Sequence, residues 1–167
     1  SDHLDYHGTF EAYREAKGLL FADLDAGAAA CINDGDPSAA WVAARTRGRI
    51  LRYGFGPACE VGAEGAEAGP DGVAFTLRIG GARAAVRSPL LGRHNIENML
   101  AAAAAAHGLG LPADVIAPGL ARLSGVPGRL ERVDDGSLGF RVLVDYAHTE
   151  DSLRRVLGFL RPVTPGR

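Results

Sequence analysis

Lysine is nearly missing: of eighteen basic residues in a chain of 167, Lys17 alone is lysine and the rest are arginine. A phosphate-cradling loop needs Gly-Lys-Ser or Gly-Lys-Thr, and the single lysine follows Ala16, so this sequence contains no such loop. Cysteine is scarce as well, and Cys31 and Cys59 stand in unrelated contexts without metal-ligand spacing. That excludes a disulfide framework and reads as a reduced, cytoplasmic chain. No block of like charge occurs, since net charge is -2 and the arginines are scattered, so no electrostatic footprint for nucleic acid is present. The only long apolar run, "MLAAAAAAHGLGL" at 99–111, is too short and glycine-broken to cross a bilayer, and no basic start followed by an apolar segment marks a signal peptide. No Ser/His/Asp arrangement has supporting context, and "GLGLPA" follows a helix where a dinucleotide fingerprint would follow a strand.

What is present begins with Lys17 itself. If Thr9 caps a helix that Phe10 opens, steps of about 100° per residue set Phe10, Tyr13, Leu20 and Phe21 along one stripe, with Lys17 inside it. Such a lysine can snorkel, its stem on apolar neighbours and its ammonium in water. It can also lose its proton and act as a neutral amine, forming a Schiff base or taking up carbon dioxide as a carbamate. The helix pattern leaves both open.

Further along, 28–32 reads as a short strand entering the polar turn Asn33-Asp34-Gly35-Asp36, and Pro37 opens a helix carrying Trp41 and Val42. "RILRYGFG" is a strand, and "GVAFTLRIGGARAAVRSPL" is a hairpin turning at Gly80-Gly81. The stretch between them, "GPACEVGAEGAEAGPDG", reads as a loop. Helices are expected at 95–107 and 112–123, then the linker "SGVPGR". A strand at 140–144 delivers Asp145 at its carboxyl end, and Thr149 caps a final helix with an acidic first turn. Alternating strands and helices give an α/β class, with two partial domains meeting near Pro127.

Three clusters carry chemistry. Asp2, His3, Asp5 and His7 crowd the approach to the Lys17 helix, which is either a polar loop or equipment for a divalent ion. Asn95 and Asn98 lie one turn apart, each able to cap the helix or to match an adenine edge. Arg129, Asp145 and His148 offer a phosphate ligand, a ribose ligand and a ring beside a helix N-terminus.

The strings "DHLDYHGTFEAYREAKGLLF", "GRHNIENMLAAAAAA", "GVPGRLERVD" and "VDYAHTEDSLRRVL" together resemble, in order and spacing, the Mur ligases of bacterial cell-wall synthesis. The likeness is greatest to the member that adds the third residue of the peptidoglycan stem peptide. The resemblance implies that Lys17 is carbamylated and, with His3, binds Mg²⁺. It assigns Asn95 and Asn98 to the adenine of ATP, Arg129 to its phosphates, Asp145 to its ribose and His148 to the same nucleotide site. The implied partners are a UDP-linked muramoyl dipeptide and a diamino acid, meso-diaminopimelate, lysine or another. The implied reaction is ATP-dependent amide formation through an acyl phosphate. In fold terms, 1–126 is expected to be the second half of a central ATPase domain. Residues 127–167 are expected to be the first βα unit of a Rossmann-like C-terminal domain. The UDP-binding domain and the Gly-Lys-Thr loop are then expected before residue 1, and most of the last domain after residue 167. Two departures stand out, Gly35 within the turn usually written Asn-Ala-Asp-Asp and Glu150 where proline is common. Rival readings are a cyanophycin synthetase or folylpolyglutamate synthase type of ligase, and a non-catalytic nucleotide-binding remnant.

Overall fold

The computed structural model describes residues 8–134, 136–137 and 139–164. Helix α1 (Phe10–Ala22) starts as expected, the Thr9 hydroxyl accepting from the Ala12 N–H at 3.1 Å. Strand β1 (Ala29–Asn33), helix α2 (Ala39–Ala43) and strand β2 (Arg49–Gly54) form a βαβ unit whose strands pair in parallel. Pro37 does not open α2. It lies in the preceding turn, and the helix begins two residues later, after the Asp36 carboxylate has accepted from the Ser38 N–H at 2.7 Å.

The expected loop before the hairpin is the largest correction, because Val61–Gly69 is a strand, β3. Its glycines and alanines look like loop on composition, but it is paired on both sides. It overlaps β2 in parallel at Tyr53↔Val61 and runs antiparallel to β4 (Gly72–Ile79). The register slips between Glu64 and Glu67, where Gly65 at φ +58° occupies a bulge that a side chain would strain. Strand β5 (Ala82–Ser88) completes the order β1-β2-β3-β4-β5, with the hairpin turning at Gly80-Gly81 as read. The result is one mixed sheet, parallel at one edge and antiparallel at the other.

Helix α3 (Arg93–Gly108) lies across this sheet and buries Ile96, Met99, Leu100, Ala103 and Ala104 against Val61, Val73, Phe75, Leu77 and Val86. Each large side chain so buried contributes about 1.5–3 kcal/mol. Helix α4 (Ala113–Ala121) adds Ile116 to the same core. The β3–β4 turn closes against β5, where a Cβ on Gly72 would stand 2.1 Å from the Ser88 carbonyl oxygen, at φ +135°. Backbone cannot yield there, so Gly72→Ala should lower unfolding free energy by about 1–3 kcal/mol in urea melts. Unchanged stability would mean that the hairpin end is not packed this way.

Past the linker the second unit is small. Strand β6 (Glu131–Arg132) pairs antiparallel with β7 (Leu143–Val144), and helix α5 (Glu150–Val163) follows. The expected strand at 140–144 shrinks to two residues, because Phe140 is solvent-exposed and the ladder with β6 takes in only Leu143 and Val144. Asp134 ties this ribbon together, accepting from the Arg132 guanidinium and from the N–H groups of Val142 and Gly136. Those donors, Arg132 first, hold its carboxyl down from 3.8 to about 2. A depressed carboxylate stabilises the folded state above its unfolded value and loses that effect as pH falls toward the folded one. The ribbon should therefore open between about pH 4 and pH 2, and Asp134→Asn should remove that step from an acid titration.

Candidate functional site

Parallel strands present ligands at their carboxyl ends. Here Asn33 ends β1 and Gly54 ends β2, and with Asp34, Phe55 and Glu97 of α3 they line a pocket of about 220 Å³. The Arg93 guanidinium covers the Phe55 ring at 3.8 Å, seating the start of α3 over those strand ends. Arg78 fastens the intervening segment from below, donating to the carbonyls of Cys59 and Gly56.

A larger cleft, about 730 Å³, is lined by α3, the linker and the second unit. Its walls include His94 and Asn98 from α3, Arg129 from the linker, Asp145, Tyr146 and His148 from the segment after β7, and Ser152 and Arg155 from α5. Four of the residues singled out in the sequence, Asn98, Arg129, Asp145 and His148, therefore meet in one cavity.

Each is held differently. The Asn98 amide donates to Asn95 Oδ1 at 3.2 Å, leaving its own oxygen and one N–H for a ligand. Asn95 does not line the cleft. It is buried at 2 % exposure, its amide donating to the Leu91 carbonyl at 2.8 Å, so it supports Asn98 from behind. The guanidinium of Arg129 makes no hydrogen bond or ion pair among the described residues, which leaves a solvent-facing cation for an anion.

Asp145 is doubly engaged. Its Oδ1 accepts from the Ala147 N–H and its Oδ2 from the Leu130 N–H, both at 2.8 Å, and each oxygen keeps a lone pair for a hydroxyl donor. The second bond holds Leu130 in the left-handed region, at φ +46°, a strained conformation that pins the linker to the end of β7. His148 rests edge-on to Tyr146 at 4.9 Å, with Nδ1 2.9 Å from the Tyr146 carbonyl. Thr149 and Ser152 close a capping box at the start of α5.

His94, one turn before Asn98 on the same face, had no separate signal in the sequence beyond that i, i+4 spacing. Burial pushes its imidazole below the ordinary histidine value, against the pull of the Asp145 and Glu97 carboxylates, while Arg129 adds to the downward push.

Lys17 belongs to a different cavity, about 310 Å³ between α1, β1 and α2, whose lining also includes Arg14, Asn33, Asp36 and Tyr53. Asn33 is shared with the small pocket under α3, so the two cavities adjoin. The expected apolar stripe is not what docks α1. Phe10 and Leu20 are exposed, and the one buried helix position is Gly18, where a Cβ would stand 2.6 Å from the Trp41 ring. Lys17 is exposed at the cavity rim, its Nζ 5.6 Å from the centre of the Tyr13 ring. His3, the second expected metal ligand, lies outside the described residues, as do Asp2, Asp5 and His7. Among the described residues no group of three His, Cys, Asp or Glu side chains could hold a metal ion.

The sequence pattern described as the Mur ligase middle domain matches residues 1–106 of this chain. The chain belongs to the Mur ligase family. Among Mur ligases, the UDP-N-acetylmuramoyl-L-alanyl-D-glutamate–2,6-diaminopimelate ligase of Gloeobacter violaceus is 42% identical over 166 residues, covering 99% of this chain and 34% of the relative. The ligase of the same name from Geobacillus thermodenitrificans is 43% identical over 166 residues, covering 96% and 34% respectively. A solved structure of a ligase of that name superposes with a TM-score of 0.79 at 33% identity, over 99% of this chain and 34% of that one. This chain thus spans about a third of the length of the Mur ligases it matches.

Proposed function

We propose that the chain is part of an ATP-dependent ligase that adds a diamino acid to UDP-N-acetylmuramoyl-L-alanyl-D-glutamate, a cytoplasmic step of peptidoglycan synthesis. In this reading 1–126 is the later part of the central ATPase domain and 127–167 opens the C-terminal domain. The observation that carries it is the cleft between the two, where Asn98, Arg129, Asp145 and His148 converge. The relatives' names support the choice of 2,6-diaminopimelate as the incoming amine.

The residues divide the work. Asn98 reads the adenine edge and Asn95 fixes its orientation. Asp145 takes a ribose hydroxyl on the lone pairs its backbone bonds leave free, and Arg129 neutralises phosphate charge. His148 borders the ribose and phosphate end of the same nucleotide. The D-glutamyl carboxylate attacks the γ-phosphorus and ADP departs, giving an acyl phosphate. The amine then attacks the acyl carbon, and the tetrahedral adduct expels phosphate. Lys17, as its carbamate, and His3 would hold Mg²⁺, which when bound neutralises charge on the moving phosphoryl group. The donor chemistry fits, since a carbamate gives the rim of the α1 cavity the anionic oxygens that an ammonium lacks.

Two measurements test this. The full-length protein should release phosphate from ATP only when both the UDP-linked dipeptide and the diamino acid are present. The present chain alone, lacking a Gly-Lys-Thr loop, should release none above a buffer control; turnover by the chain alone would overturn the assignment of the phosphate machinery to other segments.

A further inference from the structure

Arg14 precedes Lys17 by three residues, so the two side chains share a face of α1, and both line the same cavity. The two neighbouring arginines are satisfied unequally. Arg45 lies 3.6 Å from the Trp41 ring centre, donates to the Trp41 carbonyl and pairs with Glu15 at 3.7 Å. Arg14 lies 4.8 Å from the same ring centre, but it forms no ion pair among the described residues, and its Nε is buried without a hydrogen-bond partner. A buried guanidinium N–H without an acceptor is unfavourable enough that an acceptor is expected where one can be placed. Among the described residues Asp36 is the only carboxylate lining this cavity, and one of its oxygens is taken by the Ser38 N–H within its own turn.

We propose that Arg14 is a positioning residue for the carbamate of Lys17, its guanidinium donating to a carbamate oxygen and holding that group toward the cavity. The proposal rests on the reading of Lys17 as a carbamate. In the modification, the deprotonated ε-amine bonds to the carbon of dissolved carbon dioxide. One C=O electron pair moves onto oxygen, and the remaining extra N–H proton leaves to solvent, giving N–COO⁻. Arg14 favours the product, because a fixed cation on the same helix face stabilises the anion once it is made. The planar fork suits a carboxylate-like group as a lysine ammonium would not. Trp41, stacked on the guanidinium, keeps it from swinging into solvent.

The test is ¹³C NMR of the full-length protein equilibrated with ¹³C-bicarbonate, with Lys17→Ala as the blank that identifies the carbamate carbon. Arg14→Gln should raise the bicarbonate concentration for half-occupancy about tenfold, the effect of losing one charge-assisted hydrogen bond. Arg14→Lys should fall between the two. Equal occupancy in wild type and Arg14→Gln would show that Arg14 only packs on Trp41 and would overturn the proposal. Absence of the signal from the wild type would instead remove the carbamate reading of Lys17, and this proposal with it. Should Arg14→Gln fail to fold by circular dichroism, Arg14→Lys carries the comparison: wild-type occupancy in it refutes the need for the fork.

Discussion

Lys17→Arg in the full-length ligase should reduce turnover by about two to three orders of magnitude, the scale of losing one fixed electrostatic element of an active site. The substitution keeps a long stem and a positive charge, and Lys17 is exposed at the cavity rim, so folding should be undisturbed. What arginine cannot do is shed a proton and bond carbon dioxide. Lys17→Ala should be equally inactive. The two variants should differ in rescue: a short carboxylic acid can enter the space alanine vacates and stand in for the carbamate oxygens, whereas the arginine side chain fills that space. Activity measured against acetate and propionate concentration makes the comparison. If Lys17→Arg keeps near-normal turnover, the lysine merely snorkels, and Mg²⁺ must be held by other groups.

The sequence showed those features whose causes are local. Thr9 and Thr149 cap helices because a hydroxyl at that position can reach an N–H three residues on, and both do so here. The turn at Gly80-Gly81 follows from two residues that accept positive φ, as both have. Strand β3 was invisible because its signal is not local. Its side chains are small and interrupted by glycine, and it is a strand only because β2 and β4 offer unpaired edges on either side. At 140–144 the error ran the other way: the apolar run promised a longer strand, but β6 supplies only two pairing residues. Four residues of the cleft, Asn98, Arg129, Asp145 and His148, were picked out through the family's motifs, yet the division between Asn95 and Asn98 was not. A signal for that division was nonetheless present, since Asn95, Met99 and Ala103 recur every four residues and all three are buried.

That division sets the second large effect. Asn98→Ala should raise the apparent KM for ATP by about ten- to a hundredfold, because two hydrogen bonds to a base edge are worth roughly 1–3 kcal/mol. The KM for the muramoyl substrate should stay within about twofold, and the melting temperature should hold, since Asn98 sits at the surface of α3. Asn95→Ala should do nearly the reverse. Removing the buried amide leaves the Leu91 carbonyl without a partner and costs about 1–3 kcal/mol of stability. For a domain of this size that is about 2–4 °C of melting temperature per kcal/mol. Its ATP KM should rise less than that of Asn98→Ala, because the reading amide remains, only less firmly aimed. Kinetics and thermal melts on the two variants side by side decide the matter. Equal KM effects for ATP and the muramoyl substrate in Asn98→Ala would make Asn98 structural too, and adenine recognition would then have to come from elsewhere in the cleft, with His94, one turn back on the same face of α3, the first residue to examine.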